Sequence, residues 1–484
     1  MNDEPGCRWI RVQRGILFAL LVLAAAACGA DSSAPAAAST VTTGGGSSGT
    51  GSAGSDAGPG VLREVQHVVV IVLENWSFDS LYGEFEGADG LSSAEALIPQ
   101  IDPATGMPYP TLPQEEPYLP TNLPNAPFAL NEYLPLGGKT AMDLTQKFYQ
   151  EQMQIDGGKM DRFVAYDGAK GLTMGYFHTA GLPLAAEAKK YVLCDRFFHS
   201  AFGGSFLNHM WLVAAATPVF PDAPDSMRAV LDANGRLAAG ADGGPAKDGP
   251  VTPDGYVVNT AFSVNTPHPA NALPASLVPS QTNPTIGDRL TEKTLDWAWY
   301  AGGWNDALSG NVDSGALFQY HHQPFVYFAK YADGTTGRAA HLKDESEFVV
   351  AAKAGTLPAV SFVKPAGIDD EHPNRTDVLT GELHVVDLID AVRSGPNWKD
   401  AVIVVTYDEN GGFWDHVSPP AADRWGPGTR VPAIVISPFS RKGFVDHTAY
   451  ETTSILALIE HRWGLAPLGA RDAAALDLTN TLER

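Results

Sequence analysis

The stretch His67-Val68-Val69-Val70-Ile71-Val72-Leu73-Glu74-Asn75 holds six consecutive apolar residues, five of them β-branched, that stop at a carboxylate and an amide. A run without the alternation of a half-exposed strand is how a strand buried on both faces reads. Three more runs repeat it, at 359–363, 401–406 and 431–436. Helical stretches lie among them at 182–190, 207–216, 382–393 and 453–463. Strands alternating with helices predict an α/β fold with a mostly parallel central sheet flanked by helices. The segment 218–284 is rich in Pro, Gly, Asn and Asp and interrupts the alternation. Its Asn234-Gly235 and Asp254-Gly255 pairs are turn signals, and 256–259 and 261–265 are candidate short strands. We expect an inserted cap region there.

The chain has 484 residues, 44% hydrophobic and 18% charged, which is ample for a core. A formal charge of −23 disfavours nucleic acid as a partner, though a basic pocket for a small phosphate ester is compatible with it. Cys7, Cys28 and Cys194 are too few for a disulfide scaffold or a multi-cysteine zinc module. Residues 1–27 read as a signal peptide, with Arg8, Arg11 and Arg14 before an apolar run at 16–27. That run falls short of the roughly 20 residues a spanning helix needs. Ala25-Ala26-Ala27-Cys28-Gly29 is similar to a bacterial lipoprotein signal, in which Cys28 would be lipidated and attach the chain to a membrane. Plain cleavage near Ala27 is the alternative. Residues 28–60 form a flexible Gly/Ser/Ala-rich tether. We therefore expect a protein exported from a bacterial cytoplasm, as a periplasmic or cell-surface lipoprotein or a secreted one, with its globular body at 61–484.

Two of the buried runs end in acids: Glu74-Asn75 after the first, and Asp408-Glu409-Asn410 after Tyr407. Residues just past strand C-termini line the ligand crevice of a parallel sheet. The bland alternative is helix caps or solvated turns. Three converging carboxylates repel by roughly 4 kcal/mol per pair at 4 Å and an effective dielectric near 20. One divalent cation with oxygen ligands, of Mg, Ca or Mn type, would reverse that sign. Phe202-Gly203-Gly204-Ser205 leads into an apolar helix, so Ser205 is either an N-cap or a nucleophile. His372, His321, His322 and His416 are candidates for phosphoryl contact or proton transfer.

Taken in order, these motifs resemble a bacterial phosphoesterase family that contains phospholipase C enzymes and acid phosphatases, within the alkaline phosphatase superfamily. The resemblance rests on Leu73-Glu74-Asn75-Trp76-Ser77-Phe78-Asp79, on Cys194-Asp195-Arg196-Phe197-Phe198-His199-Ser200 running into Gly203-Gly204-Ser205, and on Tyr407-Asp408-Glu409-Asn410-Gly411-Gly412-Phe413-Trp414-Asp415-His416. It implies an alkaline-phosphatase-like fold and a metal held by Glu74, Asn75, Ser205, Asp408 and Glu409. It also implies a Ser205 nucleophile passing through a phosphoseryl intermediate. Asn75, His372 and one of His321 and His322 would contact the phosphoryl group. Trp76 stands where the family usually has Arg, and Gln146 where the acid phosphatase branch has a further His.

Ser205, the His321-His322-Gln323-Pro324-Phe325 stretch and a chain ending soon after Trp463 put an acid-phosphatase-type phosphomonoesterase first. The resemblance gives the longer phospholipase C members additional C-terminal domains. A phospholipase C acting on headgroup phosphodiesters is the alternative. A lipid-anchored protein that binds phosphate esters without turnover is the third reading.

Overall fold

The computed structural model describes residues 59–93, 97–240, 246–312, 315 and 317–483, which fall in one compact unit. The expected signal peptide, Cys28 and most of the tether lie outside these residues. No helix among the described residues is long and apolar enough to cross a membrane.

The unit is built on an eight-stranded sheet. Its strands in chain order are β1 (His67–Leu73), β2 (Val192–Cys194), β3 (Trp297–Ala301), β4 (Leu342–Asp344), β5 (Val360–Lys364), β6 (Ala401–Tyr407), β7 (Ala433–Ile436) and β8 (Phe444–Asp446). The spatial order is β8-β2-β7-β6-β1-β5-β3-β4. β7 runs antiparallel to both neighbours, and every other pairing is parallel. The sheet is therefore mixed but mostly parallel, as the apolar runs predict. β1 and β6 sit at its middle and are buried along almost their whole length, which is why neither shows alternation.

The helices that matter for the site are α1 (Phe78–Tyr82), α2 (Phe148–Ile155), α3 (Pro183–Lys190), α4 (Ser205–Ala214), α5 (Glu345–Ala354), α6 (Val378–Arg393) and α7 (Thr452–Trp463). α6 packs against both α3 and α5, while α7 packs against α4. α4 is buried at every position, its polar residues Ser205, Asn208 and His209 included, which stand about one turn apart on one side.

Among the described residues of the segment 218–284 there is no β-strand. The short strands expected at 256–259 and 261–265 are instead single bridges, Val219 to Tyr256, Val251 to Val257 and Ser263 to Val278. Backbone pairing there is broken by prolines and by side-chain bonds such as Ser263 Oγ to Val326 O at 3.0 Å. Both predicted turns are present, with Gly235 and Gly255 at positive φ.

Candidate active site

Three adjacent strands, β6, β1 and β5, deliver the chemistry at their C-terminal ends. β1 ends at Leu73, and Glu74 N donates to Asp370 O at 2.8 Å. Asn75 then turns left-handed, at φ 69°, a conformation Asn tolerates better than most residues. Its amide N donates to Asp408 Oδ1 at 3.3 Å, joining the ends of β1 and β6. The turn after β6 must come close to Asn75, because a Cβ on Gly411 would stand 2.0 Å from the Asn75 carbonyl oxygen.

Ser205 comes from elsewhere in the chain and meets these residues. Gly204, not Ser205, is the N-cap of α4. Ser205 Oγ donates to Glu74 Oε2 at 3.1 Å and lies 3.4 Å from Asn75 Oδ1. The turn before it is clamped from behind. Glu151 on α2, buried, accepts from Gly203 N at 2.5 Å, Thr429 N at 3.1 Å and His199 Nε2 at 3.0 Å. Asn208 Oδ1 accepts from Ala201 N at 3.0 Å, and its Nδ2 donates to the Ala201 and Gly203 carbonyls.

The histidines divide. His322 Nε2 lies 3.1 Å from Glu74 Oε1, whereas His321 has no hydrogen-bond partner among the described residues. His372 Nε2 is 3.2 Å from Asn75 Nδ2, and its Nδ1 is buried without a hydrogen bond. Half-buried Arg375 is close enough to act on His321, His322 and His372. Burial, with Arg375 next, pulls His372 down to about 3, and burial pulls His322 down to about 4. Both imidazoles are therefore neutral. His416 is not part of this group. It pairs with Asp79 at 2.6 Å in a network that Arg430 completes through Asp79 and Asp415.

Two residues absent from the sequence reading complete the site. Lys364, the last residue of β5, is fully buried, with Nζ 2.5 Å from Glu74 Oε1 and 3.8 Å from Asp408 Oδ2. His209, one turn after Ser205 on α4, is also fully buried and lies 3.7 Å from Asp408 Oδ2. Gln146 Nε2 stands 2.9 Å from the Asn75 amide. Trp76 stacks on Phe413 at 4.3 Å and donates to Glu371 O at 2.9 Å, so it packs the floor rather than facing ligand.

The donor set fits a divalent cation on two grounds. Asn75 Oδ1 faces Glu74 Oε2 at 3.0 Å and Glu409 Oε1 at 3.1 Å, with Ser205 Oγ also close. Four converging oxygens require either a swapped amide, which would donate to both carboxylates, or a hard cation among them. The second ground is charge. Burial pushes Glu74 up, but Lys364 and His322 outweigh it and hold it well below the usual range. Asp408 and Glu409 are pushed well above that range by burial, then by Glu74 and Asp408 respectively. One ammonium cannot keep three buried carboxylates ionised together, and a divalent ion supplies the missing charge. Beyond the oxygens, Glu74 with His321 and His322, and Glu74 with His209 and Asp408, also group closely enough to hold a metal. Nitrogen donors are thus at hand that an oxygen-only expectation did not include.

A cavity of about 390 Å³ runs along α2 past Tyr149, Tyr166, Phe202 and Arg162, but none of the residues above lines it, so it is not the reaction site.

Buried carboxylates at strand ends, a serine at a helix start and buried imidazoles beside them are the groups that a phosphoryl-transfer centre uses. Residues 65–466 match the model of the Phosphoesterase family, and the chain belongs to that family. It is a hydrolase acting on phosphoric esters. Phospholipase C A of Mycobacterium tuberculosis (strain CDC 1551 / Oshkosh) is 25% identical over 449 residues, covering 84% of this chain and 74% of the relative. Non-hemolytic phospholipase C of Burkholderia pseudomallei (strain K96243) is 25% identical over 445 residues, covering 84% of this chain and 56% of the relative. Among solved structures, a protein in the alkaline phosphatase superfamily from Vibrio parahaemolyticus aligns over 70% of this chain and 73% of its own. Its 12% identity and TM-score of 0.33 are too low to carry any argument about the site.

Proposed function

We propose that the protein is a phosphodiesterase of phospholipase C type that works through Ser205. The observation that carries the nucleophile is the 3.1 Å bond from Ser205 Oγ to Glu74 Oε2, a carboxylate held ionised by Lys364. The choice of a diester follows the two relatives, both named phospholipase C, each covering 84% of this chain. This reverses the order of the sequence reading, which put the monoesterase first. Of the three features that put the monoester first in the sequence, Ser205 is the one that bears on the nucleophile: the family resemblance gives Ser to the acid phosphatase branch and Thr to the phospholipase branch. A missing methyl group leaves the hydroxyl chemistry unchanged.

In the proposed reaction Ser205 Oγ passes its proton to Glu74 Oε2 and bonds to phosphorus, and the glycerol-side P–O bond breaks. The leaving oxygen takes up the proton that Ser205 released, so Glu74 relays it and returns to its ionised form. Water then cleaves the Ser205 ester, releasing the phosphorylated headgroup and restoring the hydroxyl. Asn75 and the N–H groups of His372 and His321 hold the phosphoryl oxygens, with Arg375 adding positive charge. A divalent cation held by Glu74, Asn75, Ser205, Asp408 and Glu409 would stabilise the serine alkoxide and the charge on phosphorus. Export, a tether and a lipid on Cys28 would suit a lipid substrate.

The test compares an aryl phosphate, an aryl phosphorylcholine and phosphatidylcholine vesicles on the purified chain. We expect kcat/KM on the choline diesters to exceed that on the monoester by about tenfold or more. The opposite preference would restore the acid phosphatase reading, and silence on all three would favour binding without turnover.

A further inference from the structure

We propose that Lys364 is a built-in cation that closes a second metal position in the site, limiting the cluster to one divalent ion. The inference rests on the reading of Glu74, Asn75, Ser205, Asp408 and Glu409 as a metal site, and it concerns the other side of the same carboxylates.

Glu74 and Asp408 each turn one oxygen toward Ser205 or the Asn75 backbone, through Glu74 Oε2 and Asp408 Oδ1. Their other oxygens, Glu74 Oε1 and Asp408 Oδ2, point to Lys364 Nζ, at 2.5 and 3.8 Å. Neither of these oxygens is otherwise hydrogen-bonded, and each has an imidazole beside it. His322 Nε2 is 3.1 Å from Glu74 Oε1, and His209 Nε2 is 3.7 Å from Asp408 Oδ2. All five side chains are buried, and no ring nitrogen of His209 or His322 makes a hydrogen bond among the described residues. Glu74, His209 and Asp408 group closely enough to hold a metal, and two carboxylates with an imidazole are a common donor set for a transition metal. Here an ammonium lies between the carboxylates instead.

The sequence explains how it gets there. β5 pairs in parallel with β1, Ile71 opposite Val363, so the next residue of β5 emerges level with the end of β1. Nζ also donates to Leu73 O at 3.4 Å, which ties the ammonium to the strand that carries Glu74. Lys364 thus acts as a positioning residue: it fixes the inner oxygens of two ligands so that Glu74 Oε2 faces Ser205 and Asp408 Oδ1 faces the Asn75 backbone. It also supplies fixed positive charge where a second ion would otherwise bind.

The test loads metal-stripped full-length chain with excess Mn2+, removes free ion, and counts Mn per chain by elemental analysis alongside electron paramagnetic resonance. Wild type is expected to hold one ion with an uncoupled spectrum. Lys364→Met, whose side chain has nearly the same length and no charge, is expected to hold close to two, with an exchange-coupled spectrum. Lys364→Arg is expected to hold one. Two coupled ions in wild type would overturn the proposal, and that result needs no variant. So would a folded Lys364→Met that keeps one ion with the wild-type spectrum. No Mn in wild type would instead overturn the metal site itself, and this inference with it, so the two failures are told apart by the wild-type count.

Discussion

Ser205 stands at the first position of α4 yet leaves the capping to Gly204, so its hydroxyl contributes none of the roughly 1 kcal/mol a serine cap is worth. It reaches Glu74 instead. Ser205→Ala should therefore cut turnover by about 10^3-fold or more while changing stability by less than about 1 kcal/mol. Steady-state rates on a choline diester, together with thermal unfolding, decide this, and a variant that turns over normally would remove Ser205 from the nucleophile role. Most single residues of the site were legible because they follow apolar runs or glycines in an ordered set of motifs. Glu74, Asn75, Ser205, His322, His372, Asp408 and Glu409 all converge. Lys364 was not legible, since a lone lysine one residue past an apolar run looks like a solvated strand end. Only the register of β5 against β1 shows that it faces inward. His209 was hidden for a similar reason, since a lone histidine in a mostly apolar, buried helix looks structural.

At the scale of elements, the nucleophile is held by the start of α4 and by the turn Gly203-Gly204 before it. Gly203 adopts φ 89°, and a Cβ there would meet Phe148 N at 2.7 Å, so the turn lies directly on the start of α2. Glu151 of α2 is what keeps the two together, accepting from Gly203 N and from His199 and Thr429 across the gap. In Glu151→Gln an amide NH2 replaces one acceptor oxygen and leaves a buried N–H facing another donor. We expect a loss of about 1–3 kcal/mol in urea unfolding and a fall in kcat larger than the change in KM. Unchanged kcat in a destabilised variant would show that the clamp serves folding alone. None of this support could be read from spacing, because residues 151, 199 and 429 meet only in the folded chain. The strands were easier. Those at 67–73 and 401–406 were placed within a residue, since a fully buried parallel strand announces itself by composition. β3, Trp-Ala-Trp-Tyr-Ala at 297–301, escaped because it is short and holds no β-branched residue. Most of the structure of the segment 218–284 also escaped, since single bridges leave no pattern in the sequence.

For the whole molecule the question is what holds together a sheet whose centre ends in buried acids, in a chain of net charge −23. β6, β1 and β5 are the middle of the sheet, and their ends carry Asp408, Glu74 and Lys364. Any charge imbalance there acts on the core rather than on a surface loop. A cation bound by the native cluster and not by the unfolded chain adds RT ln(1 + [L]/Kd), about 2.7 kcal/mol at a hundredfold excess over Kd. Exhaustive chelation should therefore lower the melting temperature by several degrees and abolish turnover, and adding back divalent cation should restore both. Asp408→Asn should lose the thermal response to cation. Ser205→Ala, which keeps all the carboxylates, should retain most of it while remaining inactive, so binding and chemistry separate in one experiment. A melting curve indifferent to chelation in all three proteins would mean that Lys364 and protonation of Asp408 and Glu409 are sufficient to balance the cluster. The oxygens around Asn75 would then be reconciled by its swapped amide rather than by a metal.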